Sequence, residues 1–151
     1  MAEPNLHLTL KFLGQVAEAR APAIAEALRA AAALPAFDLE LRGLGAFPTP
    51  DRPRVLWVGA GQGAAAAATL AARVDAGLAA LGFLHETRAF ASHVTLGRVR
   101  TPRRNPGLAE RLHVAGDRDF GRVRVGAVSL MRSQLSPAGA RYTELAALAL
   151  G

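Results

Sequence analysis

At 151 residues, half of them apolar, the chain has the size of one domain or two small lobes, with core enough to fold alone, and this excludes general disorder. The absence of cysteine excludes a disulfide framework and thiolate chemistry and suits a reducing cytoplasm. The net charge of +6 rests on arginine, Lys11 being the one lysine. That fits a polyanionic partner and phosphate contact, and equally a bias toward Ala, Arg and Leu in the coding sequence.

Residues 2–5 (Ala-Glu-Pro-Asn) are neither basic nor strongly apolar, so no signal peptide is expected. The first predicted strand is 5–13, within PNLHLTLKFLG. Its alternation puts His7, Thr9 and Lys11 on one face and Leu8, Leu10 and Phe12 on the other. A helix follows at about 18–34, with Pro22 in its first turn and Ile24, Leu28 and Ala32 as its inward stripe. Strands are expected at 37–47 and 54–59, with the Pro-rich PTPDRPR between them as a loop. The alanine-rich 62–81 segment repeats Leu70, Val74, Leu78 and Leu81 at helical spacing and ends near Gly82. Its apolar run breaks at Arg73 and Asp75, too short for a membrane span. A strand over 85–99, a basic loop TPRRNPG, a short helix at 106–113 and strands at 120–134 and 141–149 complete the chain, with SPAG as the closing hairpin turn.

The lettering His7-Leu8-Thr9-Leu10 returns as His93-Val94-Thr95-Leu96. Each copy is followed by a glycine, a helical stretch and a strand beginning with Phe, FDLELRGLGAF and FGRVRVGAVSL. This order reads as a duplicated unit. The expected architecture is therefore α+β: two pseudo-symmetric lobes with antiparallel or mixed sheets flanking a central cleft, helices outside. The second copy is preceded by its own strand and helix, about 35 residues, whereas the first has six residues before His7. By this internal comparison a strand and a helix are expected to be missing ahead of the first copy.

Two imidazoles facing one substrate suit acid–base chemistry without a metal, one taking a proton from the attacking group and one giving a proton to the leaving oxygen. Thr9 and Thr95, on the faces of their histidines, can donate hydrogen bonds to developing negative charge. His85 and His113 lack such partners and read as ordinary. Metal binding is disfavoured, because each motif supplies one ligand and cysteine is absent. VLWVGAGQG has G-x-G-x-G spacing and reads as a turn and helix start rather than a dinucleotide fingerprint. Trp57, Phe47 and Phe90 could stack a base, although Trp57 in VLWVG fits the core better. Arg98, Arg100, Arg103 and Arg104 crowd the end of the second motif and could hold backbone phosphates.

HLTLKFLG and HVTLGR resemble the paired H-x-T motifs of the two-histidine (2H) phosphoesterases, in particular the bacterial RNA 2′,3′-cyclic phosphodiesterases, also called 2′-5′ RNA ligases. PRVLWVG, FASHVTLGR and SLMRSQLSPAGARYTEL extend the likeness to the whole chain, 1–151, as a single domain of two lobes. The resemblance implies catalytic His7 and His93, phosphate binding by Thr9 and Thr95, and an Arg98 that touches phosphate or ribose. Strict alternation would turn Arg98 away from His93, so the strand must end or bulge at Gly97. It further implies hydrolysis of RNA or oligonucleotide 2′,3′-cyclic phosphate ends to 2′-phosphates, with no cofactor, no membrane association and no obligate protein partner, in the cytoplasm. The alternatives are ligation by the same site in reverse and a non-catalytic RNA-binding module.

Overall fold

The computed structural model describes residues 2–151 and is α+β, with antiparallel sheets. Helix α1 (Ala21–Ala31) begins with proline in its first turn, after a single 3-10 turn at Glu18–Arg20. Strands β1 (Phe37–Pro48) and β2 (Pro53–Ala60) follow, then helix α2 (Ala64–Ala79). Gly82 at φ +92° closes α2, and the Phe83 N–H bonds back to the Leu78 carbonyl, satisfying an end that has no partner within the helix. Strand β3 (His93–Arg98), helix α3 (Pro106–Val114) and strands β4 (Asp119–Val125), β5 (Ala127–Ser136) and β6 (Gly139–Ala149) follow, and a further 3-10 turn spans Glu3–Asn5 ahead of the first motif. Asn105 caps α3 through its side-chain oxygen, which accepts from the Leu108 N–H.

Two sheets form. One has the strand order β3-β2-β1-β4, and the other is the β5–β6 hairpin, closed by the expected turn with Ser136 opposite Gly139. The chain divides into two compact units, residues 1–9, 38–68 and 90–123 in the first and the remainder in the second. The core of the second gathers Ile24, Leu28, Leu70, Val74 and Leu78 with Val128, Leu130 and Leu148, so the helical stripes read from spacing are the buried ones.

Three expectations differ. The strand over 5–13 reduces to one antiparallel bridge, Leu8 with Val94. The strand over 85–99 begins only at His93, because residues 84–86 are held instead by side chains: Lys11 Nζ donates to the Leu84 carbonyl, and Asp75 accepts from the Glu86 N–H. The strand over 120–134 breaks at Gly126 into β4 and β5, which join different sheets.

In the first unit the sheet's two faces are sorted by irregularities. Along β1, Leu41 pairs with Ala60 and Leu44 with Val58, so one residue is inserted near Gly43. The insertion lets Leu39, Leu41, Leu44 and Ala46 share the inner face while Glu40, Arg42, Gly45 and Phe47 share the outer one. Gly43 stands at φ +79°, and a Cβ there would meet the Gly116 carbonyl oxygen at 2.5 Å.

Candidate active site

Both H-x-T motifs lie in the first unit, side by side. The antiparallel Leu8–Val94 bridge turns these two apolar side chains to the inner face. One step to either side then sets His7 across from Thr95 and Thr9 across from His93, all four on the outer face. The outer face of β2 continues this surface, with Trp57 opposite Thr95 and Gly59 opposite His93.

The two imidazoles are oriented by the same local device. His7 Nδ1 lies 2.7 Å from the Asn5 carbonyl oxygen, and His93 Nδ1 lies 2.9 Å from that of Ala91. A carbonyl only accepts, so each Nδ1 carries the proton and Nε2 is the basic nitrogen of the ring. His93 is further steadied by aromatic edges: Phe47 at 5.1 Å between centroids and perpendicular, and Trp57 at 6.4 Å. His7 and Thr9 are exposed; His93 and Thr95 are half-buried.

Arg98 reaches the same face through a second irregularity. Thr95 pairs with Trp57 but Gly97 with Leu56 and Arg98 with Val55, so Leu96 is the inserted residue, one position before Gly97. Pairing with Val55 returns Arg98 to the face of Trp57, His93 and Thr95, and the side chain is exposed. Five residues singled out from the sequence, His7, Thr9, His93, Thr95 and Arg98, thus share one face of one unit. Lys11 does not join them: it belongs to the second unit, where its nearly buried ammonium contacts Asp75 Oδ1 at 2.5 Å. Asp75 also meets His85 Nδ1 at 2.7 Å, and the Lys11 and His85 hydrogen bonds hold its carboxyl well below the usual carboxylate range.

Trp57, expected in the core, instead packs on the outer face, against Phe47 at 5.2 Å and over Gly45, where a Cβ would fall 2.3 Å from the indole ring. Sequence reasoning passes over Glu40 and Arg42. Arg42 Nε and Nη2 both donate to Glu40 Oε1, at 3.0 and 2.5 Å, and this, with the Gln62 N–H, holds the Glu40 carboxyl below its ordinary value. Their alternation in DLELR is the available signal. Among the described residues, no cluster of three His, Asp or Glu side chains is arranged to hold a metal ion. Nor is any described helix long and apolar enough to cross a membrane.

The 2′-5′ RNA ligase superfamily matches the chain over residues 2–137. A protein of Aeropyrum pernix named RNA 2′,3′-cyclic phosphodiesterase is 43% identical over 95% of this chain and 81% of its own length. One of the same name from Methanothermobacter thermautotrophicus is 37% identical over 93% and 76%. Among solved structures, a Thermus thermophilus protein superposes with a TM-score of 0.77 at 31% identity, covering 96% of this chain and 78% of that one. Escherichia coli LigT complexed with 3′-AMP gives 0.73 at 29%, covering 99% and 79%. With its paired H-x-T motifs and this match along most of its length, the chain belongs to the 2′-5′ RNA ligase superfamily, the two-histidine phosphoesterases.

Proposed function

We propose that the chain hydrolyses 2′,3′-cyclic phosphate ends of RNA or oligonucleotides to 2′-phosphates by acid–base catalysis between His93 and His7. The observation that carries this reading is the pair of imidazoles on one sheet face, each with Nδ1 anchored to the carbonyl two residues before it. The name shared by the relatives, RNA 2′,3′-cyclic phosphodiesterase, supports the substrate class.

His93 Nε2, neutral, takes a proton from water as the water oxygen bonds to phosphorus. His7, protonated at Nε2, gives its proton to the 3′ oxygen as the P–O3′ bond breaks, leaving a 2′-phosphate and a 3′-hydroxyl. Thr9 and Thr95 hydroxyls donate to the non-bridging oxygens, and the Arg98 guanidinium balances the charge that grows on them. The superfamily's name favours a second reading, in which a 5′-hydroxyl replaces water and the site runs toward ligation.

The test is an oligoribonucleotide ending in a 2′,3′-cyclic phosphate, incubated with the protein in EDTA, with 2′- and 3′-monophosphate products resolved. His7→Ala and His93→Ala run alongside. Exclusive 2′-phosphate that disappears in both variants supports the proposal. A product that persists in either variant overturns the two-histidine assignment. A joined product in the presence of a 5′-hydroxyl strand moves the assignment to ligation, and unchanged RNA affinity without turnover moves it to a binding module.

A further inference from the structure

The backbone holds the two H-x-T motifs very differently. His93 and Thr95 lie on β3, where they pair with Gly59 and Trp57 of β2, so a ladder fixes the second motif. The first motif has no ladder. Among the described residues, the Leu8–Val94 bridge is the one β-pairing of residues 6–16, and these residues form no helix. An extended segment joined at one bridge can swing, and a catalytic group misplaced by about 1 Å loses on the order of 10²-fold in rate. A working first motif therefore needs a further anchor.

Leu10 and Leu13 pack against the core of the second unit, but apolar contact is non-directional and does little to fix an orientation. Lys11, two residues after Thr9, supplies direction. Its ammonium, on a side chain 4% exposed, donates to Asp75 Oδ1 at 2.5 Å and to the Leu84 carbonyl at 2.8 Å, with Glu86 Oε1 at 3.7 Å. Asp75 is itself fixed: it stands on α2, accepts from the Glu86 N–H at 3.1 Å and meets His85 Nδ1 at 2.7 Å. An ammonium offers three donors from one point, which suits oxygens converging in a nearly closed site; a planar guanidinium fork does not. The one lysine among the chain's 18 basic residues stands here.

We infer that Lys11 is a positioning residue for the first motif: by pinning the chain two residues after Thr9, its ammonium sets where His7 and Thr9 stand for the reaction. The inference rests on the phosphodiesterase reading for what His7 does there. It also makes the dependence one-sided, because His93 and Thr95 are carried by a paired strand and do not need this anchor.

Lys11→Met keeps an unbranched apolar stem and removes the ammonium. The imidazole nitrogen resonances of His7, His93 and His113 are compared with those of the unaltered protein, each assigned from its own His→Ala variant. The expected result is a shift or broadening at His7, with His93 and His113 in place. Kinetics on a 2′,3′-cyclic mononucleotide then supply a double-mutant cycle. Lys11→Met should lower kcat about tenfold or more, alone and on top of Thr95→Val, but no more than about twofold on top of His7→Ala, where no imidazole is left to misplace. A penalty of equal size in both backgrounds, or equal shifts at all three histidines, marks a general loosening of the fold and overturns the inference. An unmoved His7 resonance overturns it as well. If Lys11→Met does not fold, Lys11→Met combined with Asp75→Asn, which strands no carboxylate, decides by the same criteria. Absence of turnover on every cyclic phosphate in the unaltered protein overturns the phosphodiesterase reading instead, and the resonances still decide whether Lys11 places His7.

Discussion

An imidazole has two nitrogens, and a strand that anchors one of them decides the work of the other. With Nδ1–H held by Asn5 at His7 and by Ala91 at His93, rotation that would misdirect Nε2 breaks a hydrogen bond in each case. Replacing either histidine by alanine should lower kcat by about 10²–10⁴-fold. The double variant should cost little more than the worse single one, because the two groups act in one step. A bell-shaped pH–kcat profile that collapses to a single limb in each His→Ala variant is the expected signature; a profile unchanged in shape would remove that histidine from the mechanism. At Thr95, loss of the hydroxyl in Thr95→Val should cost about 10²-fold or less and return in Thr95→Ser.

Asp75 makes a different prediction, one of stability. Its folded carboxyl is held well below the usual range by Lys11 and then by His85, so the folded state binds this proton less readily than the unfolded chain does. A depressed carboxyl contributes stability that is complete above its unfolded value and is lost as pH falls toward the folded one. Asp75→Asn should therefore lower Tm most at neutral pH, where Lys11, its side chain 4% exposed, loses its nearest carboxylate and keeps only Glu86 at 3.7 Å as an ion-pair partner. The gap should narrow below about pH 4. A gap constant from pH 7 to pH 3, followed by thermal unfolding, would show that the carboxylate charge is not what holds residues 84–86 in place.

Elements built by simple periodicity were legible in the sequence, and those built by an inserted residue were not. Helices α1 and α2 follow from Ile24 and Leu28 and from Leu70, Val74 and Leu78, because a stripe of that spacing has one way to be buried. The H-x-T repeat likewise marked His7, Thr9, His93 and Thr95, since period two forces each pair onto one face. The insertions at Gly43 and Leu96 break that period and leave little trace in composition, although the need to turn Arg98 already required one of them. Trp57 was misplaced for a related reason: VLWV reads as a continuous apolar strand, and the space that accepts the indole is the missing side chain of Gly45 on the neighbouring strand. Gly43 is the sharpest test at this scale. Gly43→Ala imposes φ +79° on an L-residue and drives its Cβ into the Gly116 carbonyl, so stability should fall by at least about 2 kcal/mol in a denaturant titration. Gly126→Ala, with open space around its Cβ, should change stability by no more than about 0.5 kcal/mol. Equal effects at both would mean that the β1 insertion is not what sorts the two faces of the sheet.

At the scale of the whole molecule, the question is what a net charge of +6 is for. Many arginines are spent internally: Arg42 on Glu40, Arg132 on Glu18, Arg29 on Glu26, and Arg73 on the last carbonyls of α1. Arg100, Arg103 and Arg104 follow β3, are exposed, and make no ion pair among the described residues. They belong to the same unit as His7 and His93. A dinucleotide-sized substrate offers such a cluster little, whereas an oligonucleotide carries further phosphates past it, and each phosphate neutralised releases a counterion. The slope of log kcat/KM against log salt should therefore be steeper for an oligoribonucleotide than for a 2′,3′-cyclic mononucleotide. Each extra phosphate held costs about 2.5-fold over a four-fold rise in salt. Arg103→Ala combined with Arg104→Ala should flatten the oligonucleotide slope toward the mononucleotide one and leave the 2′-phosphate product unchanged. If both substrates show one slope in the unaltered protein, the excess charge has no part in holding RNA, and the arginine content then reflects composition alone.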